Sequence, residues 1–230
     1  MTDRAALAAL NAEVIECRRC PRLVAWREQV AREKVLRFRD EPYWGRPVPG
    51  FGDPEARILL IGLAPAAHGG NRTGRVFTGD ASGDFLWKAL YDVGLANKPS
   101  SRRADDRLAL TDTYITAAVK CAPPQNKPTT DERDNCFPYL VREMQLLDRI
   151  RVVVALGLFG WEAAFRALDA LGHELRPRPK FGHGAEARVG PYAVIASFHP
   201  SQQNTFTGRL TAPMLEAVLR RAKELAGANY

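Results

Sequence analysis

The 230-residue chain is long enough for one domain with a sizeable core, and its 33 Lys and Arg outnumber its 26 Asp and Glu, giving a formal net charge of +7. This balance favours an anionic partner, nucleic acid before an acidic membrane surface. The chain has no run of about 18 apolar residues, so a membrane span is not expected.

The first 54 residues have the pattern of a helical and linker segment. Thr2 or Asp3 can cap a helix whose apolar residues keep helical spacing up to Cys17. A second helix is expected after Pro21, because proline suits a first helical turn. Residues 41–54, rich in Pro, Gly and aromatic side chains, predict an irregular linker.

Four continuous apolar runs predict strands that are buried on both faces. They cover residues 57–62, 114–119, 151–156 and 192–197. Helical patterns alternate with them at 84–93, 131–147, 161–171 and 213–225, and Thr129-x-x-Glu132 matches a capping box. The alternation predicts an α/β fold, a three-layer α/β/α sandwich with a central, mainly parallel four-stranded sheet, in one domain over residues 1–230.

The loops that follow the four strands hold the candidates for chemistry, because ligands of a parallel sheet bind beyond the carboxyl ends of its strands. The first loop, from Gly62 to Asp80, is glycine-rich and permits close approach of a ligand to the backbone. Asn71, Arg72 and Arg75 offer polar and cationic groups there. The loop lacks the lysine followed by Ser or Thr of a phosphate-binding loop, which disfavours ordinary nucleoside triphosphate hydrolysis.

His199 stands at the end of the fourth predicted strand, in Ser197-Phe-His-Pro-Ser201. A histidine in this place can donate a hydrogen bond to a base carbonyl, stabilise a leaving anion or act as a general base. The alternative is a satisfied loop residue without a catalytic role.

The four cysteines form two distant pairs, Cys17 with Cys20 and Cys121 with Cys136. A Cys-x-x-Cys spacing lets two thiolates reach one metal, so the set suggests one four-thiolate site for zinc or an iron–sulfur cluster. Two disulfides, or one disulfide with two free thiols, are the alternatives. No hydrophobic signal segment opens the chain, and a reducing cytoplasm opposes disulfides, so metal or cluster is favoured.

Three elements together resemble one family. They are the loop Gly62-Leu-Ala-Pro-Ala-Ala-His-Gly-Gly-Asn-Arg-Thr-Gly-Arg-Val-Phe-Thr-Gly-Asp80, the segment Phe198-His-Pro-Ser201 and the four cysteines. In this order they resemble the uracil-DNA glycosylase superfamily, above all its type B or family 5 branch, which carries a [4Fe-4S] cluster. The resemblance runs from Cys17 to the last helix.

The resemblance implies a monofunctional DNA repair glycosylase. Such an enzyme hydrolyses the N-glycosidic bond of uracil and other deaminated or modified bases in DNA and leaves an abasic site. We expect a monomer, because one enzyme wraps one lesion, acting on DNA in the cytoplasm at the nucleoid and not on a membrane.

The matched positions imply residue roles. The glycine-rich loop, including Gly62, Asn71 and Arg75, would contact the flipped base and its sugar. Phe77 would stack on the base, unless it belongs to the core. His199 would stabilise negative charge as the glycosidic bond breaks. Asn126 matches a position that assists catalysis in related branches, and the stretch that begins at Ser201 would hold the DNA.

Two positions depart from related branches. Ala64 stands where the best-known branch has an aspartate that positions water, and Ala117 stands where related enzymes place an asparagine that reads the uracil edge. We therefore expect a less strict pocket. Asp80 remains as a carboxylate that could orient the water, with helix capping as its alternative role.

The resemblance makes Cys17, Cys20, Cys121 and Cys136 the ligands of a [4Fe-4S] cluster. The cluster would be structural, since hydrolysis needs no electron transfer, and would tie residues 1–54 to the loop after the second strand. Three rival hypotheses remain: a zinc- or cluster-containing nucleic-acid-binding protein without glycosylase activity, an electron-transfer protein, and a lyase whose amine would be Lys120 or Lys127.

Overall fold

The computed structural model describes residues 3–227, and a six-stranded sheet forms its centre. The strands are β1 Phe51–Gly52, β2 Ile58–Gly62, β3 Thr113–Ala117, β4 Val152–Leu156, β5 Glu186–Val189 and β6 Tyr192–Ser197. Their order across the sheet is β1-β3-β2-β4-β6-β5. The four central strands pair in parallel, while β1 and β5 join the edges in antiparallel fashion.

Helices connect and cover the strands. Within residues 3–227 they are α1 Arg4–Ile15, α2 Pro21–Glu33, α3 Gly70–Thr73, α4 Ala81–Asp92, α5 Thr130–Leu146, α6 Leu158–Ala170, α7 Gln202–Phe206 and α8 Ala212–Gly227. Two short 3-10 turns, Leu36–Phe38 and Pro124–Asn126, lie in the connections.

The sheet separates two apolar cores, because successive side chains of a strand point to opposite faces. Ile58 and Leu60 of β2 pack in the core that α4 and α8 cover. Leu59 and Ile61 pack in the other core, under α1, α5 and α6. Every residue of the central strands β2, β3 and β4 is buried, which explains the uninterrupted apolar sequences of β2 and β4.

The predicted three-layer α/β/α fold with a mainly parallel sheet is confirmed, but the sheet has six strands instead of four. The two edge strands were missed because β1 is only two residues long and β5 is largely exposed. The short helices α3 and α7 were missed as well, and both lie in the loops that carry the motifs.

The predicted caps of α1 and α5 agree with the structure, whereas α4 and α6 begin three residues earlier than expected, at Ala81 and Leu158. Asp3 caps α1 by accepting a hydrogen bond from the Ala6 amide at 2.9 Å, while Thr2 lies outside the described residues. Thr129 and Glu132 form the complete capping box of α5. Across residues 3–227, none of the helices combines the length and apolar character needed to cross a bilayer.

Candidate active site

Phe77 and His199 come together at the carboxyl end of the sheet. Gly62 ends β2, and a Cβ atom added there would lie 2.9 Å from the Phe77 ring. Gly157 follows β4, and a Cβ atom there would lie 3.1 Å from Cβ of His199. Glycine at both strand ends therefore leaves room for the two rings, whose centroids are 6.0 Å apart with planes tilted by 33°.

The backbone of Phe77 is held in an unusual conformation. Its φ is 50°, in the left-handed region that a bulky residue seldom adopts. The Phe77 carbonyl accepts a hydrogen bond from Nε1 of Trp87, a buried core residue of α4. The surrounding structure thus holds the half-buried ring of Phe77 at the strand ends. Strained backbone conformations of this kind are common at functional sites.

His199 is a neutral imidazole at neutral pH. Burial disfavours the charged form and lowers the pKa of His199 to about 4. Its backbone carbonyl accepts a hydrogen bond from Asn204 at 2.9 Å. In the described part of the chain no group hydrogen-bonds to its ring nitrogens, so both can serve a ligand.

A groove of about 1410 Å³ adjoins this pair. Three predicted site residues line it, namely Asp80, Asn126 and Ser201. Phe77 and His199 do not line it, but they precede Asp80 and Ser201, which do, by three and two residues. One open surface therefore connects residues from three separate loops.

Asp80 is both a helix cap and a groove residue. Its Oδ1 accepts a hydrogen bond from the Gly83 amide at 2.9 Å, which caps α4. Desolvation by burial raises the pKa of Asp80 above its usual range, although the amides of Gly83 and Ser82 oppose that shift. The two roles predicted for this carboxylate are therefore compatible.

Asn126 is exposed at the end of a 3-10 turn that follows β3. Gln125 and Asn126 have φ values of 54° and 56°, two successive left-handed residues without glycine. This conformation turns the loop so that Asn126 lies at the groove. Across the groove, Ser201 precedes the first turn of α7, and its carbonyl accepts from the amides of Asn204 and Thr205.

Asn71 and Arg75, which were expected to contact a ligand, make hydrogen bonds inside the protein. The fully buried amide of Asn71 donates to the carbonyl of Arg27 at 3.2 Å. The guanidinium of Arg75 donates inward to two carbonyls and to Thr78, Ser101 and Asp106. A buried arginine needs such partners, so both side chains shape the loop instead of reaching a ligand.

Arg72 is a third internal anchor of the same loop. Its guanidinium donates to the carbonyls of His68 and Gly79 at 2.8 and 2.9 Å and pairs with Glu41. The linker that contains Glu41 is thereby fastened to the glycine-rich loop. The sequence suggested that the arginines of this loop face a ligand, because a sequence does not show which way a side chain points.

A tyrosine–histidine pair in the groove was not predicted. The Tyr43 hydroxyl and Nδ1 of His68 lie 3.0 Å apart, and both residues line the groove. Burial lowers the pKa of His68, with a smaller effect from Arg72 in the same direction. The aromatic residues of the linker were the only sequence signal for this pair. That Tyr43 meets His68 depends on the fold.

Cations flank the groove at exposed positions. Arg37, Arg102 and Arg103 line it and are exposed, and Arg103 pairs with the exposed Asp105 at 3.0 Å. Arginines of the first 54 residues also pair with carboxylates, such as Arg18 with Glu28 at 2.6 Å. Part of the positive charge is therefore neutralised within the protein.

The two alanines that depart from related branches lie at the strand ends. Ala117 is the last residue of β3 and is in register with Gly62. Ala64 packs against the apolar group that contains Cys20, Cys121 and Cys136. Neither position offers a polar side chain to a ligand near Phe77.

All four cysteines line one small cavity, and Ala64 packs against the apolar group that contains three of them. Cys17 follows α1, Cys20 precedes α2, Cys121 follows β3 and Cys136 lies on α5. All four are free, so the disulfide alternatives are not realised. Among the described residues no group of three or more His, Cys, Asp or Glu is arranged around a single metal ion.

Protein donors surround the sulfur atoms. The guanidinium of Arg27 donates to Sγ of Cys121 at 2.9 Å, and the Lys120 amide to Sγ of Cys136 at 3.5 Å. Burial raises the thiol pKa of Cys121 to about 11 and that of Cys136 to about 12. The donor set fits a thiolate-bound group, whose binding would displace the thiol protons.

Comparison with known proteins defines the class. The family model described as the uracil DNA glycosylase superfamily matches residues 49–223, from the first strand into the last helix. The chain therefore belongs to the uracil-DNA glycosylase superfamily.

Relatives narrow the position within that class. A type-5 uracil-DNA glycosylase of Thermus thermophilus is 56% identical over 92% of this chain and 94% of its own length. One of Mycobacterium tuberculosis is 53% identical over 96% and 82%. A type-4 enzyme of Archaeoglobus fulgidus is 35% identical over 67% and 70%. The chain is thus more similar to these type-5 proteins, over nearly its whole length.

Proposed function

We propose that this protein is a monofunctional glycosylase that removes uracil and other deaminated or modified bases from DNA and leaves abasic sites. The observation that carries the proposal is the pairing of Phe77 with the neutral imidazole of His199, beside a groove lined by Asp80, Asn126 and Ser201. The type-5 relatives, which bear the name uracil-DNA glycosylase, support it.

The aromatic ring and the imidazole divide the work on the base. A base flipped from the duplex loses its stacked neighbours, and the Phe77 ring replaces them. The protonated ring nitrogen of His199 donates a hydrogen bond to the base carbonyl, where negative charge grows as the glycosidic bond breaks. The imidazole suits this task because it is neutral at neutral pH and keeps one N–H donor there.

Asp80 and Asn126 act on the water. The bond from C1′ to the base nitrogen breaks, the water oxygen bonds to C1′, and the released proton passes through Asp80 to the base anion or to solvent. Burial makes the Asp80 carboxylate a better proton acceptor. Asn126 faces the same groove and holds the water or the base edge.

DNA would lie along the groove. The exposed Arg37, Arg102 and Arg103 contact backbone phosphates, and the segment from Ser201 to Arg209 holds the strand beside the lesion. Ala64 and Ala117 leave the pocket without the carboxylate and amide of related branches, which favours acceptance of several bases. The protein would act as a monomer, because one enzyme wraps one lesion, in the cytoplasm at the nucleoid.

The direct test is incubation with oligonucleotides that each bear one modified base, followed by alkaline cleavage of abasic sites. We expect cleavage at uracil and at other deaminated bases. Intact strands with every base, using protein with its full metal content, would remove the proposal. Borohydride trapping tests the lyase rival: Lys120 is buried against Glu143, and the exposed Lys127 is the remaining loop amine.

The four cysteines would hold a [4Fe-4S] cluster in a structural role, which fastens α1 and α2 to β3 and α5. Four cysteines that line one cavity suit such a cluster, which the resemblance to the type B branch implies; zinc is the alternative. Iron, acid-labile sulfide and zinc analysis decides between them. About four iron atoms with equal sulfide would support the cluster, and one zinc atom would support the rival.

A further inference from the structure

Arg27 is a buried cation with no carboxylate of its own. It lies on α2 with 2% of its surface exposed and lines the cavity that the four cysteines share. Through residues 3–227, no Asp or Glu lies within ion-pair distance of its guanidinium. A permanent cation in the interior is unfavourable unless an anion compensates it.

The hydrogen bonds of Arg27 leave the compensation incomplete. One terminal nitrogen donates to Sγ of Cys121 at 2.9 Å and the other to the carbonyl of Cys17 at 3.2 Å. The buried Nε has no acceptor. Both acceptors belong to cysteines, and neither a thiol nor a carbonyl carries the negative charge that the guanidinium requires.

The other cations around the cavity already have partners. Lys120 is buried too, but its ammonium lies 2.7 Å from a carboxylate oxygen of Glu143. Arg19 is exposed and interacts with Glu13 and the face of Tyr139. Arg27 is therefore the cation whose countercharge must come from the cavity itself.

We propose that Arg27 is the built-in countercharge of an anionic four-thiolate centre. Four thiolates carry more negative charge than either a zinc ion or an oxidised [4Fe-4S] core carries positive charge, so the filled site is an anion. The hydrogen bond to Cys121 stabilises the thiolate form and slows loss of the metal. With a cluster, the same charge raises the reduction potential, since reduction adds a negative charge.

Arg27 also joins this centre to the glycine-rich loop. Its carbonyl accepts the buried amide of Asn71 in α3, and the Asn71 carbonyl accepts from the Gly45 amide. One residue therefore contacts a cysteine with its side chain and the active-site loop with its backbone. Loss of the centre is expected to loosen that loop as well as α2.

The inference rests on the proposed four-thiolate centre and is tested on purified protein with its metal bound. Arg27→Met removes the charge at similar length, Arg27→Lys keeps the charge without the fork, and Arg32→Met is the control on the same helix at an exposed position. Metal content, the rate of metal release to a chelator and the midpoint potential of the visible absorption are measured.

For Arg27→Met we expect metal release to be faster by about 10-fold or more and a lower midpoint potential, with a smaller change for Arg27→Lys and none for Arg32→Met. Release and potential equal to the unmodified protein would overturn the inference. If Arg27→Met does not fold, the release rate of Arg27→Lys decides in the same way. If the centre is zinc, release alone decides. An unmodified protein without bound metal would instead refute the centre itself.

Discussion

The ring of Phe77 lies 6.0 Å from the imidazole of His199, at the shared carboxyl edge of β2 and β6. Gly62 makes this arrangement possible because its missing side chain would meet the Phe77 ring at 2.9 Å. An aromatic face and a neutral hydrogen-bond donor are thus fixed before any ligand arrives. Catalysis by such a site depends on preorganised groups more than on a strong base.

Replacing His199 by Ala, which removes the ring N–H, should lower kcat for uracil excision by about 100- to 1000-fold, as loss of a donor to developing negative charge does. Iron content and cooperative unfolding should stay close to those of the unmodified protein. Rates are measured in single turnover on a uracil oligonucleotide. A rate within about threefold of the unmodified enzyme would contradict the role.

The depressed pKa of His199 also predicts a pH dependence of stability. The unfolded state takes up a proton near pH 6.5, whereas the folded state does so near pH 4, so the unfolded state binds more protons between these values. The free energy of unfolding should therefore fall as the pH drops from about 6.5 to about 4. Urea unfolding across this range should show a shallower fall for His199→Gln.

Gly62→Ala should displace the Phe77 ring and act like a mutation of Phe77 itself. Phe77→Ala should lower kcat/KM by about 10- to 100-fold, which corresponds to the loss of one base–aromatic stacking contact. Since both changes affect one contact, the double variant should be little worse than the more damaging single variant. Additive losses would show that Gly62 acts independently of Phe77.

Two variants of Asp80 separate capping from chemistry. Asn is a good helix cap, so Asp80→Asn should keep the stability of α4 and lose activity with the charge. Asp80→Ala should lose activity and also about 1 kcal/mol of stability, because the cap acceptor is gone. Full activity in a stable Asp80→Asn enzyme would leave the carboxylate with capping alone.

The buried pair of Lys120 and Glu143 should be sensitive to removal of one partner. Both oxygens of Glu143 accept from the Lys120 ammonium, at 2.8 and 2.7 Å. Lys120→Met should cost about 3–5 kcal/mol, because the Glu143 carboxylate is left buried without a countercharge and keeps only the hydroxyl of Thr116 as a donor among the described residues. The control Lys88→Met, in an exposed pair with Asp92, should change stability by less than about 1 kcal/mol in urea unfolding.

Cys17→Ser tests the structural role of the metal centre. Cys17 is the least buried of the four cysteines, so its substitution disturbs the apolar core least. We expect lower iron content and a lower midpoint temperature, while the excision rate per folded molecule changes much less. A stable variant with its cofactor intact would contradict the ligand assignment.

The core of the fold was predictable because its strands lie between two helical layers. Burial on both faces produces runs such as residues 58–62 and 152–156, whose meaning does not depend on their neighbours. The edge strands β1 and β5 carry no such pattern, because one side of each is open. They exist through pairing with β3 and β6, a long-range contact.

The loops that form the candidate site were predictable, but the directions in which their side chains point were not. Asp80, Asn126 and Ser201 line the groove, whereas Asn71 and Arg75 of the same motif turn inward. A sequence motif shows which residue types occur at a fixed spacing. It does not show which of these residues contact the ligand and which stabilise the loop.

The sequence by itself determined the layers, the strand-end loops and the choice of the four cysteines as candidate ligands, since apolar periodicity and residue chemistry are local properties. Only the tertiary structure decided that Phe77 packs beside His199, that Arg75 is an internal anchor, and that Arg27 is the arginine left without a carboxylate beside the cysteines. The physical reason is that burial and charge compensation depend on which distant segments share one interior. That sharing is established when the chain folds.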